Sequence, residues 1–189
     1  MRLAMADITA ESAPPRGEVA VLVAVQSALA HRPGALEAAR ALSYFGEHSI
    51  GWLAVSAVGA ILQPARRRRW LVAGAGAFAA HAAAVVIKRL VRRLRPHHPA
   101  VAVNVGTPSS LSFPSAHATS TTAAAVLLAR ATGSPLPLVL VPPMALSRMV
   151  LGVHYPSDVA AGVAVGAAVA GVAGWADGRL LGRARGAGT

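Results

Sequence analysis

Residues 66–87 read RRRRWLVAGAGAFAAHAAAVVI. Four consecutive cations precede a tryptophan, placed where an interfacial aromatic belongs, and an apolar run interrupted only by His81. A run of this length is the mark of a helix that crosses a bilayer, and a dense basic cluster marks its cytoplasmic flank. The segment predicts an all-α fold, a polytopic membrane helix bundle.

Working outward, residues 49–63 form another apolar stretch, closed by Pro64. Further spans are expected at 117–128, 135–152 and 156–175, giving about five transmembrane helices. Several are short for a bilayer, as bundle helices with polar ends lining a shared cavity can be. The last carries Gly162 and Gly166, a small-xxx-small pair suited to close helix contact. Upstream, residues 18–30 are apolar for only 13 positions before Pro33-Gly34 closes them. Residues 35–45 set Glu37 and Arg40 opposite Ala38, Leu42 and Phe45, and both segments read as short interfacial helices. Residues 1–17 read as a flexible N-terminal arm, 18–181 as a single membrane-embedded domain and 182–189 as a C-terminal tail. Asp7 and Glu11 interrupt the start before any long apolar stretch, so no cleavable leader is expected.

Composition narrows the function. The 189 residues are 54% hydrophobic and 13% charged, about half the charged share of a soluble domain. Seventeen Arg and one Lys against seven acids give a formal charge of +11, while only 4% of residues are aromatic. Scarce stacking surface argues against nucleic acid and leaves membrane lipids and phosphate esters as the expected partners. Without cysteine there are neither disulfides nor thiolate metal sites.

With five spans, alternate loops fall on opposite sides. Arg66 to Arg69, the turn near Gly133 and the arginine-containing tail share one side, which their charge marks as cytoplasmic. Residues 88–113 and 147–156 share the other, expected to be the outer face of the plasma membrane. There the unusual polar residues gather in three segments: Lys88 with Arg95-Pro96, Pro114-Ser115-Ala116-His117, and Ser147-Arg148 with His154 and Asp158.

These residue types suit phosphoryl transfer. The transferring group spreads charge over three oxygens, which fixed cations and amide donors can stabilise. Lys88, Arg95 and Arg148 supply the cations; Lys88 and Arg95, seven apart, share a face about 10 Å along the axis if their helix continues. Ser115 reads as an N-cap whose neighbouring amides open toward an anion, and His117 in the first turn can protonate a departing alkoxide. Pro156 starts the last helix and places Asp158 in its first turn, where it can hold one nitrogen of His154 and leave the other to attack phosphorus.

Each residue alone has a plainer reading: a snorkelling cation, a cap, a dipole-complementing acid, a structural histidine. Their joint occurrence at three loop ends favours chemistry. His81, in mid-span among alanines, reads as a structural hydrogen-bonding group. His97-His98 have no carboxylate nearby in sequence to complete a metal site.

The three segments resemble the signature of the type 2 phosphatidic acid phosphatase (PAP2) superfamily, Lys-x6-Arg-Pro, Pro-Ser-Gly-His and Ser-Arg-x5-His-x3-Asp, with Ala116 in place of the usual glycine. The resemblance implies a PAP2/haloperoxidase-like core and a phosphohistidine formed on His154. It also implies that Asp158 orients His154, that His117 is the general acid, and that Lys88, Arg95, Ser115, Ala116 and Arg148 hold phosphate, with no metal and no cofactor. In its short N-terminal helices and the stretch from Ala39-Arg40-Ala41-Leu42-Ser43 to Gly51-Trp52, the chain is similar to the subgroup that acts on decaprenylphosphoryl-5-phosphoribose in making the arabinose donor for mycobacterial-type cell walls. Such a substrate carries a second anion, for which Arg92, Arg93, His97 and His98 are the expected contacts. Phosphatases of polyprenyl diphosphate, phosphatidic acid or phosphatidylglycerophosphate, and a non-enzymatic membrane scaffold, remain the alternatives.

Overall fold

The computed structural model describes residues 14–186, with side chains through residue 180, and the described residues contain no β-strand. Seven α-helices follow one another among the described residues: α1 Gly17–Leu29, α2 Ala35–Gly46, α3 Ile50–Leu62, α4 Arg67–Val91, α5 Ala116–Thr132, α6 Val141–Val150 and α7 Pro156–Gly186. Three stretches are long and apolar enough to cross a membrane: Ala35–Leu62, Pro64–Val91 and Pro156–Leu180. The chain is an integral membrane protein. The arm expected at 1–17 lies almost wholly outside the described residues.

The centre of the bundle is α5, packed against both α4 and α7. Every residue from Ala116 to Ala125 is buried, including Thr119, Ser120, Thr121 and Thr122. Three of these hydroxyls find local or interhelical partners: Thr119 Oγ1 donates to the Ser115 carbonyl at 2.8 Å, Ser120 Oγ donates to the His117 carbonyl at 3.4 Å, and Trp52 Nε1 donates to Thr121 Oγ1 at 3.1 Å, whereas Thr122 Oγ1 is buried without a partner among the described residues. Small residues let the helices approach. Buried Ala73, Gly76, Ala77, Ala80 and Ala84 mark the packed side of α4. On α7, a Cβ at Gly166 would run into the Thr119 carbonyl, and one at Gly162 would lie 2.8 Å from the Ser115 carbonyl. Backbone thus rests on backbone at the Gly162/Gly166 pair, where van der Waals packing rather than hydrophobic transfer holds helices together.

Three expectations change in detail. The helix at 35–45 is present, but it runs through a 3-10 turn at Glu47–Ser49 into α3, so both belong to one apolar stretch. His48 and Ser49 take left-handed backbone there, with φ of 48° and 64°, a conformation that costs about 1–3 kcal/mol per non-glycine residue and persists only where its surroundings enforce it. Trp70, expected as an interfacial aromatic, packs its ring inward over Gly59 and is buried, with Nε1 donating to Gln63 Oε1 at 3.3 Å. Finally, α4 stops at Val91, capped by left-handed Arg92. Pro96 disfavours helical backbone at Arg95, and the chain runs instead through a Leu94–Leu111 bridge, with Arg95 N donating to the Ser110 carbonyl at 3.1 Å. Lys88 and Arg95 therefore do not share a helical face.

At the far end, the arginine run ties helix ends together. Arg66 Nη1 donates to the Thr132 carbonyl at 2.7 Å and Arg68 Nε pairs with Asp177 at 2.6 Å.

Candidate active site

The ends of α2, α4 and α6 and the starts of α5 and α7 meet around a cavity of about 360 Å³. Lys88, Arg95, Ala116, His117, Arg148 and His154 all line it. Ser115 and Asp158 stand just behind, both fully buried.

Each side chain is fixed by local structure. Lys88, in the last turn of α4, donates from Nζ to the carbonyls of Ser112 at 2.7 Å and Leu111 at 3.1 Å. Arg95 donates from Nε to the Ser109 carbonyl at 2.8 Å and from Nη1 to the Val153 carbonyl at 2.7 Å. Arg148 is 2% exposed and reaches Ser43 Oγ at 2.8 Å, yet its Nε has no partner. A buried cation with an unused donor is an anion site in waiting, since leaving such a donor unmade is costly. Ser115 caps α5, its Oγ accepting from Ala118 N at 3.4 Å, while its own amide donates to the Asp158 carbonyl at 2.9 Å. The first turn of α5 therefore opens beside Ala116 on the cavity wall, where amide donors and the helix dipole favour an anion.

The two imidazoles differ in proton placement. Arg95 Nη1 lies 3.2 Å from His154 Nε2; a guanidinium only donates, so Nε2 is the acceptor and the ring proton sits on Nδ1. Nδ1 faces Asp158 Oδ2 at 3.7 Å, an electrostatic contact too long for a hydrogen bond. Burial, then the charges of Arg95, Arg148 and Lys88, hold His154 well below the usual histidine range, which favours the neutral ring with its lone pair on Nε2. Burial also lowers Arg95 to about 10, against the pull of Asp158 and Glu47, and it stays charged at neutral pH. His117 instead faces the Ser43 carbonyl, 2.9 Å from Nε2; a carbonyl only accepts, so that nitrogen carries its proton. It fits there because Gly46 lacks a side chain: a Cβ at that position would lie 2.7 Å from His117 Cδ2.

Asp158 is itself held. Oδ2 accepts from the Tyr155 amide at 2.8 Å and Oδ1 from Arg93 Nη1 at 3.0 Å. Arg93 continues to Glu18 Oε2 at 2.6 Å, and Glu18 Oε1 accepts from the Ser157 amide at 2.8 Å. Burial pushes the Glu18 carboxyl up, but the hydrogen bonds from Ser157 and Arg93 outweigh it and leave the group below its usual range. The first helix, read from sequence as a bare interfacial element, thus braces the residue behind His154.

Arg92, Arg93, His97 and His98 are not among the residues lining the cavity; Arg93 is engaged with Glu18 and Asp158, and the Ala100 amide donates to His98 Nδ1 at 3.1 Å. Arg89 lines it instead, together with Glu47, His48 and His81. None of these four stands out by spacing, and Glu18 and Ser43 act across gaps of 75 and 105 residues that sequence periodicity does not register.

A membrane helix bundle that converges three cations and two imidazoles on one cavity, with a carboxylate behind one ring, has the charge and the donors that a phosphate group requires. The PAP2 superfamily model matches residues 69–179, more than half of the chain, and the chain belongs to that superfamily. A decaprenylphosphoryl-5-phosphoribose phosphatase of Mycobacterium tuberculosis is 77% identical over 155 residues, 82% of this chain and 88% of that protein. One of Mycolicibacterium smegmatis is 76% identical over 148 residues, 78% of this chain and 82% of that protein. A transmembrane PAP2-type phosphatidylglycerolphosphate phosphatase from Bacillus subtilis, known from its crystal structure, shares the fold with a TM-score of 0.67 at 20% identity, covering 85% of this chain and 86% of that one.

Proposed function

We propose that the protein hydrolyses the terminal phosphate monoester of decaprenylphosphoryl-5-phosphoribose, releasing phosphate and decaprenylphosphoryl-ribose, through a phosphohistidine on His154. The observation that carries this reading is the setting of His154: Nε2 lies 3.2 Å from Arg95 Nη1 at the cavity wall, and Nδ1 lies 3.7 Å from buried Asp158 Oδ2. A neutral imidazole so placed can turn its one Nε2 lone pair to phosphorus once Arg95 turns its Nη1 from that nitrogen to the phosphate held between Lys88, Arg95 and Arg148.

In the first half-reaction the Nε2–P bond forms as the P–O ester bond breaks, and His117, protonated on both nitrogens when the phosphate dianion is bound, gives one proton to the departing sugar oxygen. In the second, water attacks phosphorus, His117 takes its proton and the P–N bond breaks. Asp158 stabilises the positive charge that His154 gains, and Arg93 and Glu18 hold Asp158 in place. Lys88, Arg95, Arg148 and the amide at Ala116 hold the phosphate oxygens, with Ser115 fixing the helix start. The substrate's second anion, the diester nearer the lipid, falls to Arg89 at the cavity wall, with Arg92, His97 and His98 farther along the same segment. The names and high identity of the mycobacterial relatives support this substrate. The arginine run at the opposite end supports a site on the outer face of the plasma membrane.

The test is kcat/KM for decaprenylphosphoryl-5-phosphoribose, phosphatidic acid and phosphatidylglycerophosphate, with the wild type and His154→Ala. The ribose lipid should be preferred, and His154→Ala should lose at least a thousandfold on every substrate. Equal turnover of all three would refute the substrate; undiminished turnover by the variant would refute the mechanism.

A further inference from the structure

Glu47 is out of place in a site for a dianion. It lines the same cavity as His154, and its carboxylate repels the group that Lys88, Arg95 and Arg148 attract. Glu47 makes no direct ion pair with those cations: among the described residues its ion-pair contacts are His48 Nδ1 at 3.3 Å and His117 Nε2 at 3.7 Å. Its side chain remains 37% exposed. Two neighbours share its wall. His48 stands 61% exposed, and the His81 ring lies 5.6 Å from it with a buried Nδ1 that has no partner. The left-handed backbone at His48 and Ser49 turns the chain between two helices at this point, a conformation other than glycine rarely adopts.

We infer that Glu47, with His48 and His81, recognises free hydroxyls on the alcohol part of the phosphate ester and so selects a sugar phosphate over a plain glycerolipid phosphate. This rests on the proposed function and deepens it. A hydroxyl both donates and accepts: the carboxylate takes the hydroxyl hydrogens, and its two oxygens match two adjacent hydroxyls, while an imidazole N–H donates to a hydroxyl oxygen. The cavity's 360 Å³ lies within the roughly 300–1,000 Å³ of small-molecule sites and leaves room beyond a phosphate for a pentose. Glu47 and His48 belong to the junction of α2 and α3, whereas Lys88 and Arg95 belong to α4 and the strand-like segment after it, and His81, two turns before Lys88 on α4, joins the two groups. A site built to hydrogen-bond a hydroxyl rejects the analogue that lacks it, because its polar groups are left unpaired.

The experiment compares kcat/KM of the full-length enzyme for decaprenylphosphoryl-5-phosphoribose, its 2-deoxyribose counterpart and phosphatidic acid, with wild type and Glu47→Gln. Wild type should favour the ribose lipid over the deoxy compound by about tenfold or more, the factor for one hydrogen bond to a charged group. Glu47→Gln should shrink that ratio toward one while lowering KM for phosphatidic acid, because a repulsive charge has left the site. Measurable turnover of phosphatidic acid by the variant reports that it is folded. Equal wild-type use of ribose and deoxyribose lipids would overturn the inference while leaving the phosphatase reading intact. A variant that loses kcat equally on all three substrates would overturn it too, by making Glu47 a proton partner of His117. A wild-type preference for phosphatidic acid over both sugar lipids would overturn the inference together with the proposed substrate.

Discussion

His154 shows how much chemistry one residue's surroundings can set. Burial and three cations depress its affinity for protons, and Arg95 fixes which nitrogen is bare. A base whose folded pKa is lowered keeps its lone pair as pH falls below the ordinary histidine value of about 6.5. The acid limb of kcat/KM should therefore lie below that value in wild type. The substrate's own phosphate also titrates near pH 6, so the informative quantity is a difference between variants. Arg95→Gln removes one of the depressing charges; it should lower turnover and move the acid limb upward toward the ordinary value. An acid limb unmoved by Arg95→Gln, measured with the same substrate, would mean that His154 does not set it.

At the scale of helices, the decisive contact is α5 on α7. It carries both halves of the site, since Ser115 and His117 open α5 while Asp158 opens α7, and the Ser115 amide bonds directly to the Asp158 carbonyl. Gly162 and Gly166 permit that approach. Gly166→Ala forces a methyl group against the Thr119 carbonyl and should cost about 1–3 kcal/mol, the range for overpacking a close-fitting contact. Gly171→Ala, where a Cβ meets nothing within 4 Å, is the matched control. Thermal unfolding in detergent should show a lower midpoint for Gly166→Ala than for Gly171→Ala, and equal midpoints would contradict the close-packing reading. The glycine pair was legible because its spacing repeats one helical turn. Harder to read was the end of α4: the basic run 92–95 is compatible with a continuing helix, and only the left-handed turn at Arg92 and the pull of Pro96 stop it. The junction of α2 and α3 was equally hidden, because no glycine or proline marks the left-handed residues His48 and Ser49.

For the whole molecule, the site is a place where five helix ends meet while the apolar remainder sits in lipid. Lys88, Arg95, Ser115, His117, Arg148, His154 and Asp158 were visible in sequence because each trio or pair keeps a short internal spacing beside a proline or a span end. Glu18, Ser43 and Glu47 were not, since a lone acid or serine carries no spacing and their partners lie far along the chain. Covalent phosphate on His154 is where the fold, the charges and the tautomer converge, so it is the measurement to make. Enzyme quenched rapidly with substrate carrying labelled terminal phosphate should yield label on protein that survives alkali, is released by acid and maps to the peptide containing His154. His117→Ala should still form some of this adduct but discharge it more slowly, while His154→Ala forms none. Full turnover by the wild type with no trappable label under any quench time, or label on a residue other than His154, would contradict a histidine nucleophile at this site.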